Sequence, residues 1–223
     1  MTSANVKAAK PYKGMAMEGF IARWYAKNAR RDNEFKPLVS RINETLAAGS
    51  CVLEVAPGPG YLSIELARLG KYQVTGLDIS RSFVEIARTN ARQAGVQVDF
   101  QHGNAADMPF ADETFDFIIC TAAFKNFTQP VQAIADMYRI LRPSGQALIV
   151  DLRRDAPPAA INAAVSAMGL NRVNTFITKW TFKHFLLKNA YTTEEIRRFV
   201  SQTGFVQCDI RRDAIGMEIW LEK

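Results

Sequence analysis

Two carboxylates beside turn-forming residues are the groups in this chain best placed to do chemistry. Glu54 precedes the run Val55-Ala56-Pro57-Gly58-Pro59-Gly60, and Asp78 closes the apolar segment Val74-Thr75-Gly76-Leu77-Asp78. Glycines at 58 and 60 let backbone amides approach a ligand and open a helix whose amino end carries partial positive charge. Taken alone, the same loop also describes an ordinary strand-to-helix turn. A carboxylate ending the second strand can accept hydrogen bonds from both hydroxyls of a ribose, or can cap a helix. Together the two features point to an adenosine-containing ligand. A nicotinamide dinucleotide fingerprint would need a third glycine where Ser63 stands. Glu54 would also repel a pyrophosphate, whereas it suits a cationic amino-acid group.

Other reactive side chains are sparse. His184, the lone histidine of segment 152–191, is the best candidate for a general base because imidazole changes charge near neutral pH, but a histidine in such a segment is more often a satisfied structural one. Arg153 and Arg154 either clamp an acidic substrate or pair with Asp151 and Asp155. Cys51, Cys120 and Cys208 are odd in number, lie far apart and include no CxxC pair, so neither a disulfide framework nor a metal site is expected. They read as small buried hydrophobes.

The elements that must position these groups follow from periodicity. Residues 14–31 read as an amphipathic helix, since Met17, Phe20, Ile21, Trp24 and Tyr25 recur at helical spacing, and a second helix is expected over 37–48. From Cys51 onward, short apolar runs alternate with helical segments. Strands are expected over 51–56, 73–77, 96–101, 115–121 and 146–151, the last after the turn Arg142-Pro143-Ser144-Gly145. Helices are expected over 61–69, 80–94 with Ser80 as cap, and 130–141. This alternation argues for a doubly wound α/β sheet, with ligands beyond the carboxyl ends of the strands. Near the end of the chain, Thr192-Thr193-Glu194-Glu195 opens a capped helix, and strands over 206–211 and 215–221 pair antiparallel across a short link.

Residues 51–151, and more loosely 192–222, resemble the class I S-adenosylmethionine-dependent methyltransferases of the small-molecule type. The resemblance rests on Glu54 to Gly60, on Asp78, on Gly103-Asn104-Ala105-Ala106-Asp107-Met108-Pro109-Phe110 followed by Phe115-Asp116, and on Leu141 to Gly145. It implies a Rossmann-like seven-stranded sheet of order 3-2-1-4-5-7-6, with strand 7 antiparallel and helical cap elements. It also implies S-adenosylmethionine as cofactor. Glu54, Ala56, Gly58 and Gly60 would surround its methionine part, Asp78 would hold the ribose and Ile79 would lie against adenine. Asn104 and Ala105 would read the adenine edge, and Cys120 and Thr121 would flank the sulfonium. Tyr25 would touch the cofactor carboxylate or merely pack its helix. Ala56 stands where glycine is usual and is accommodated if its φ is negative; Asn104 replaces a common aspartate but still accepts a hydrogen bond.

A single domain is expected: amino-terminal helices over 1–48, a cofactor-binding core over 49–151, a helical lid over 152–191, and the last helix with its strand pair over 192–223. The lid, carrying Phe176, Trp180, Phe182 and Phe185 among lysines and arginines, would cover an apolar or aromatic substrate or touch a membrane, or its aromatics simply pack it onto the domain. Phe124 and Trp180, with Arg153, are the expected substrate contacts. Cys120 to Asn126 lacks the motif of enzymes that methylate planar amino nitrogens, and the Pro-Cys nucleophile of cytosine-C5 enzymes. A small-molecule partner is therefore expected over nucleic acid, although the net charge of +6 keeps an RNA methyltransferase as the alternative, beside a cofactor-binding protein without activity. No apolar run approaches the ~20 residues that span a bilayer, and Met1 to Lys10 lack a secretory pattern, so a cytoplasmic protein is expected.

Overall fold

The runs that follow residue 50 are apolar on both sides, so they are satisfied only between neighbouring strands and under helices on both faces. In the computed structural model, which describes residues 12–13, 17–29, 35–167, 169 and 186–223, they join into one seven-stranded sheet. Strands β1 (Cys51–Val55), β2 (Gln73–Asp78), β3 (Asp99–His102), β4 (Phe115–Thr121) and β5 (Leu141–Leu152) are parallel. Strands β6 (Gln207–Arg212) and β7 (Gly216–Glu222) form a hairpin, and β7 inserts antiparallel beside β5. The order is β3-β2-β1-β4-β5-β7-β6, the Rossmann-like methyltransferase arrangement.

Alternation along the central strands sorts the helices between two faces. Val52, Phe117 and Ile119 pack with Val39 and Ile42 of α2 (Lys36–Thr45) and with Leu62 and Leu66 of α3 (Tyr61–Arg68). α4 (Arg81–Ala94) lies against α3 and closes around Phe100 through Val84, Ala87 and Ala91. On the other face, Leu53, Ile118 and Cys120 meet Ile134 and Met137 of α5 (Pro130–Ile140) and Ile196 and Val200 of the helix Thr193–Val200. That last helix carries the expected capping box: Thr192 Oγ1 accepts from Glu195 N, and Glu195 accepts from Thr192 N. Ser80 likewise caps α4 by accepting from Phe83 N at 3.0 Å.

The sheet protects its edges. β3 is only four residues long, and β6 carries Asp209, Arg211 and Arg212, a short strand and a charged strand that discourage pairing with another chain.

Three sequence expectations change. The turn Arg142 to Gly145 does not precede β5 but lies within it: Leu141 pairs with Phe115, the register shifts, and pairing resumes at Gln146 with Phe117. Ser144 N donates to Lys223 O and Lys223 N to Gly145 O, so the end of the chain satisfies the bulged backbone. The first helix, α1 (Gly19–Ala29), buries Ala22 and Ala26 while Phe20 and Trp24 face outward, the reverse of the face its aromatics suggested. β3 begins at Asp99 rather than near Val96. Of the expected lid, a helix at Pro158–Ala167 (α6) and one helical turn at Leu187–Asn189 are described, and the helix Thr193–Val200 is numbered α7.

Candidate functional site

The carboxyl ends of β1, β2, β4 and β5 each deliver a polar or strained residue, and β1 delivers one of each. β1 ends in Glu54, Val55 and then Ala56. Glu54 is 2% exposed, and its carboxylate Oε2 accepts from Ser63 N at 2.9 Å and from the Ser63 hydroxyl at 2.5 Å. Ser63 sits in the first turn of α3, so the helix amino end points amide donors at the acid. Burial pushes the Glu54 carboxyl up to about 7, against the Ser63 hydrogen bonds, which favour the charged form.

Asp78, at the end of β2, is 5% exposed. Its Oδ2 accepts from Gly58 N at 2.9 Å and its Oδ1 from Ser80 N at 2.8 Å, so it ties the glycine loop to the start of α4. Burial raises its pKa while these two amides oppose the shift. No lysine or arginine among the described residues forms an ion pair with Glu54 or Asp78.

Both loop glycines have positive φ, +54° at Gly58 and +80° at Gly60, and Gly60 is also tightly enclosed. A Cβ on Gly60 would lie 2.6 Å from Phe100 Cζ and 2.9 Å from Ala87 Cβ, so this glycine permits α3 to start tight against α4 and β3. A Cβ on Gly58 would meet nothing within 4 Å, and its φ of +54° is what requires glycine there. Ala56 departs from expectation: its φ is +57°, not negative. Alanine is therefore held in the left-handed region, where an L side chain costs about 1–2 kcal/mol. Ala122, just after β4, has φ +55°, so both central strands end on an alanine in this strained conformation. Their amides are satisfied across the sheet, Ala56 N by Leu77 O and Ala122 N by Val150 O, both at 2.7 Å.

Beyond β4, the chain makes a short turn, Phe124–Asn126, that buries a lysine. Lys125 and Asp151 are 4% and 6% exposed, with Nζ and Oδ1 2.9 Å apart. Asp151 also accepts from Lys125 N and from Leu152 N, so its oxygens are engaged on three sides. Periodicity and motif spacing did not reveal this pair, because its members lie on different strands' ends and neither has a local sequence cue. Ser63 had one: it occupies the position where a dinucleotide loop has its third glycine.

The remaining predicted site residues divide. Ile79 is half-buried between Asp78 and Ser80, and Asn104 Oδ1 accepts from Ala106 N, shaping the turn after β3 with Ala105 packed on the core. Thr121 ends β4 half-buried, whereas Cys120 is fully buried among apolar side chains, which raises its pKa strongly and keeps it a thiol. Tyr25 lies on α1 with its ring edge-on to Phe83 at 5.7 Å. Two substrate expectations are corrected. Phe124 is 1% exposed and meets Phe127 edge-on and Tyr191 at a tilt, so it is core. Arg153 turns to the β6–β7 link, pairing with Asp155 at 3.2 Å and donating to Asp213 O and Ala214 O. Trp180 and His184 lie outside the described residues.

α1 and the residues just before it pack against the loops of this site. Ser80 Oγ donates to Met17 O, Gly19 N donates to Ser82 Oγ at 2.8 Å, and Tyr61 Oη donates to Ala26 O at 2.6 Å. Glu18 accepts from the amides of Arg81 and Ser82. The helix is thereby tied to the loops that follow both β1 and β2. No cluster of three or more metal-ligating side chains is found among the described residues.

A methyltransferase-domain family model matches residues 52–145, the segment from β1 to the β5 bulge that contains both acids. This segment matches a methyltransferase domain, and S-adenosylmethionine is the cofactor that the resemblance of its motifs implies. The chain is 36% identical over 111 residues to a ubiquinone/menaquinone biosynthesis C-methyltransferase UbiE of Marinomonas sp. (strain MWYL1), covering 48% of this chain and 44% of the relative. A protein of the same description from Roseobacter denitrificans is 31% identical over 166 residues, 72% of this chain and 64% of that one. The chain thus spans less than half the length of the Marinomonas relative. A crystal structure of a SAM-dependent methyltransferase from Aquifex aeolicus superimposes with a TM-score of 0.68 at 15% identity, covering 89% of this chain and 97% of the other, which supports the fold.

Proposed function

We propose that this protein transfers a methyl group from S-adenosylmethionine to a carbon of a small hydroxylated aromatic ring of the quinol type. The observation that carries the reading is the pair of buried carboxylates, Glu54 and Asp78, at the ends of adjacent strands, with hydrogen-bond donors but no ion-pair partner among the described residues. Glu54 suits the ammonium of the cofactor's amino-acid part, and Asp78 suits the ribose hydroxyls. The open side of Gly58 leaves room for a ligand to lie along the loop backbone. When bound, the cofactor supplies a methyl group on a positively charged sulfur.

The acceptor class follows the relatives, whose descriptions name carbon methylation in ubiquinone and menaquinone biosynthesis. Carbon methylation of a phenolic ring forms a carbon–carbon bond, releases the thioether and finally removes the proton from the methylated carbon. Ionising the ring hydroxyl makes that carbon nucleophilic, so a base is useful, and His184 is the residue we assign to it. Ile79, Asn104 and Ala105 would line the adenine, with Thr121 near the reacting centre; much of the rate would come from alignment of donor and acceptor. The 152–191 segment would supply the apolar cover.

The test is methyl transfer from isotopically labelled S-adenosylmethionine to a short-chain demethylmenaquinol or a demethylated benzoquinol. The account expects a product one methyl heavier, labelled on ring carbon. Label on oxygen, or turnover only with RNA, would overturn the acceptor assignment while leaving the cofactor site intact.

A further inference from the structure

α1 is inverted relative to a helix that packs through its large side chains. Its buried positions are Ala22 and Ala26, 0% and 9% exposed, whereas Phe20 is 73% and Trp24 58% exposed. Three of the five exposed large hydrophobics among the described residues, Phe20, Trp24 and Tyr25, lie on this one helix, so the patch is local rather than scattered. Phe20 and Trp24 are four apart and stand one above the other; Arg23 and Lys27 repeat the same spacing beside them and are exposed too. The helix contains no acidic residue. Glu18, immediately before it, is exposed, and its carboxylate is engaged by the amides of Arg81 and Ser82.

We propose that this face of α1 docks on an anionic lipid surface, with Phe20 and Trp24 entering the headgroup layer and Arg23 and Lys27 meeting lipid phosphates. Indole and phenyl rings favour the membrane–water interface, and a basic helix of this pattern gains from both apolar burial and anionic charge. Charge complementarity selects the occupant. A two-fold contact with a second copy would bring Arg23 and Lys27 of both chains together around the aromatic stripe, a like-charge arrangement, whereas an anionic surface neutralises them. The chain's net charge of +6 acts in the same direction. Because α1 is fastened at Ser80, Ser82 and Tyr61, docking would hold the mouth of the cleft at the lipid surface, where an apolar acceptor could enter without crossing water. None of the described helices is long and apolar enough to cross a membrane, so the contact is with the surface. The proposal does not depend on the identity of the methyl acceptor.

The experiment is co-sedimentation of the full chain with phosphatidylcholine vesicles, with and without phosphatidylglycerol, at low and high salt. Binding is expected only with phosphatidylglycerol and should weaken with salt. Phe20→Ala combined with Trp24→Ala should lower vesicle affinity tenfold or more, and Arg23→Gln combined with Lys27→Gln roughly tenfold or more. Circular dichroism and melting confirm that each variant is folded; if the aromatic pair fails to fold, the charge pair and Trp24→Ser carry the test. Absence of binding by the unaltered chain, or equal binding by the folded variants, overturns the proposal. Concentration-dependent dimerisation abolished by Phe20→Ala and Trp24→Ala, without vesicle binding, overturns it in favour of a second copy.

Discussion

The two sides of the cleft bury their carboxylates to the same degree and neutralise them differently. On the β1–β2 side, Glu54 and Asp78 are 2% and 5% exposed and, among the described residues, are held by amide and hydroxyl donors. On the β4–β5 side, Asp151 is 6% exposed and faces Lys125 at 2.9 Å. Burying a carboxylate without a cation is costly, and the cost appears as the raised pKa of both Glu54 and Asp78. A protein keeps such groups where a ligand completes them. Asp151 is already completed, so its work is to fasten the Phe124–Asn126 turn to β5. Burial alone would rank these acids together; their partners separate a binding site from a structural clasp.

The largest effect that probes this contrast is on stability. Lys125→Met leaves Asp151 buried without its partner and should cost about 3–5 kcal/mol in denaturant unfolding. Adding Asp151→Leu should recover only part of that loss, since it removes the unpaired charge but leaves the Lys125 and Leu152 amides without their acceptor. A Lys125→Met variant as stable as the original would show that the clasp is not one. Next in size, Asp78→Ala should weaken S-adenosylhomocysteine binding about a hundredfold by calorimetry, because two charge-assisted hydrogen bonds are lost. An unchanged Kd would remove Asp78 from the site.

Glu54 gives a pH-dependent effect. A bound ammonium requires the ionised carboxylate, and burial sets the ligand-free group near 7. Affinity for S-adenosylhomocysteine should therefore be level above about pH 8 and fall by up to about tenfold per pH unit below 7. Glu54→Gln should flatten that dependence. Stability of the ligand-free protein runs in the opposite direction. The folded pKa lies above the unfolded value of 4.5, so Glu54's contribution is fully present below 4.5 and is lost as pH rises through about 7. The smallest effect is at Ala56: glycine there relieves the strain of φ +57° but adds freedom to the unfolded chain, for a net gain of roughly 0.5 kcal/mol.

Much of the β1–β2 side is readable from residue order because its determinants are local. The acid, the glycines and Asp78 each fall at a strand end, and strand ends follow from short apolar runs. Ser80 and Thr192 announce their helices for the same reason. The β4–β5 side is not readable this way, since Lys125 and Asp151 meet only after the two strands pair. Arg153 looked like a substrate clamp because its partners, the Asp213–Ala214 backbone and Asp155, depend on where the hairpin turns. Ala56 misled through its φ, which side-chain type does not report: the satisfied Leu77 carbonyl holds an alanine where glycine would be relaxed. α1 misled through its periodicity, which found a helix correctly but took the large side chains for the buried face. Small alanines allow it to lie close over Ser80 and Tyr61, and that closeness turns Phe20 and Trp24 outward.

The most direct test of the contrast is a calorimetric titration of the chain with S-adenosylhomocysteine between pH 6 and 8.5, with NADH titrated in parallel. The account predicts saturable binding of S-adenosylhomocysteine that weakens below pH 7 in the original chain but not in Glu54→Gln, with no binding of NADH. Binding of NADH with none of S-adenosylhomocysteine would contradict it. So would an S-adenosylhomocysteine affinity that neither pH nor the loss of the Glu54 charge alters.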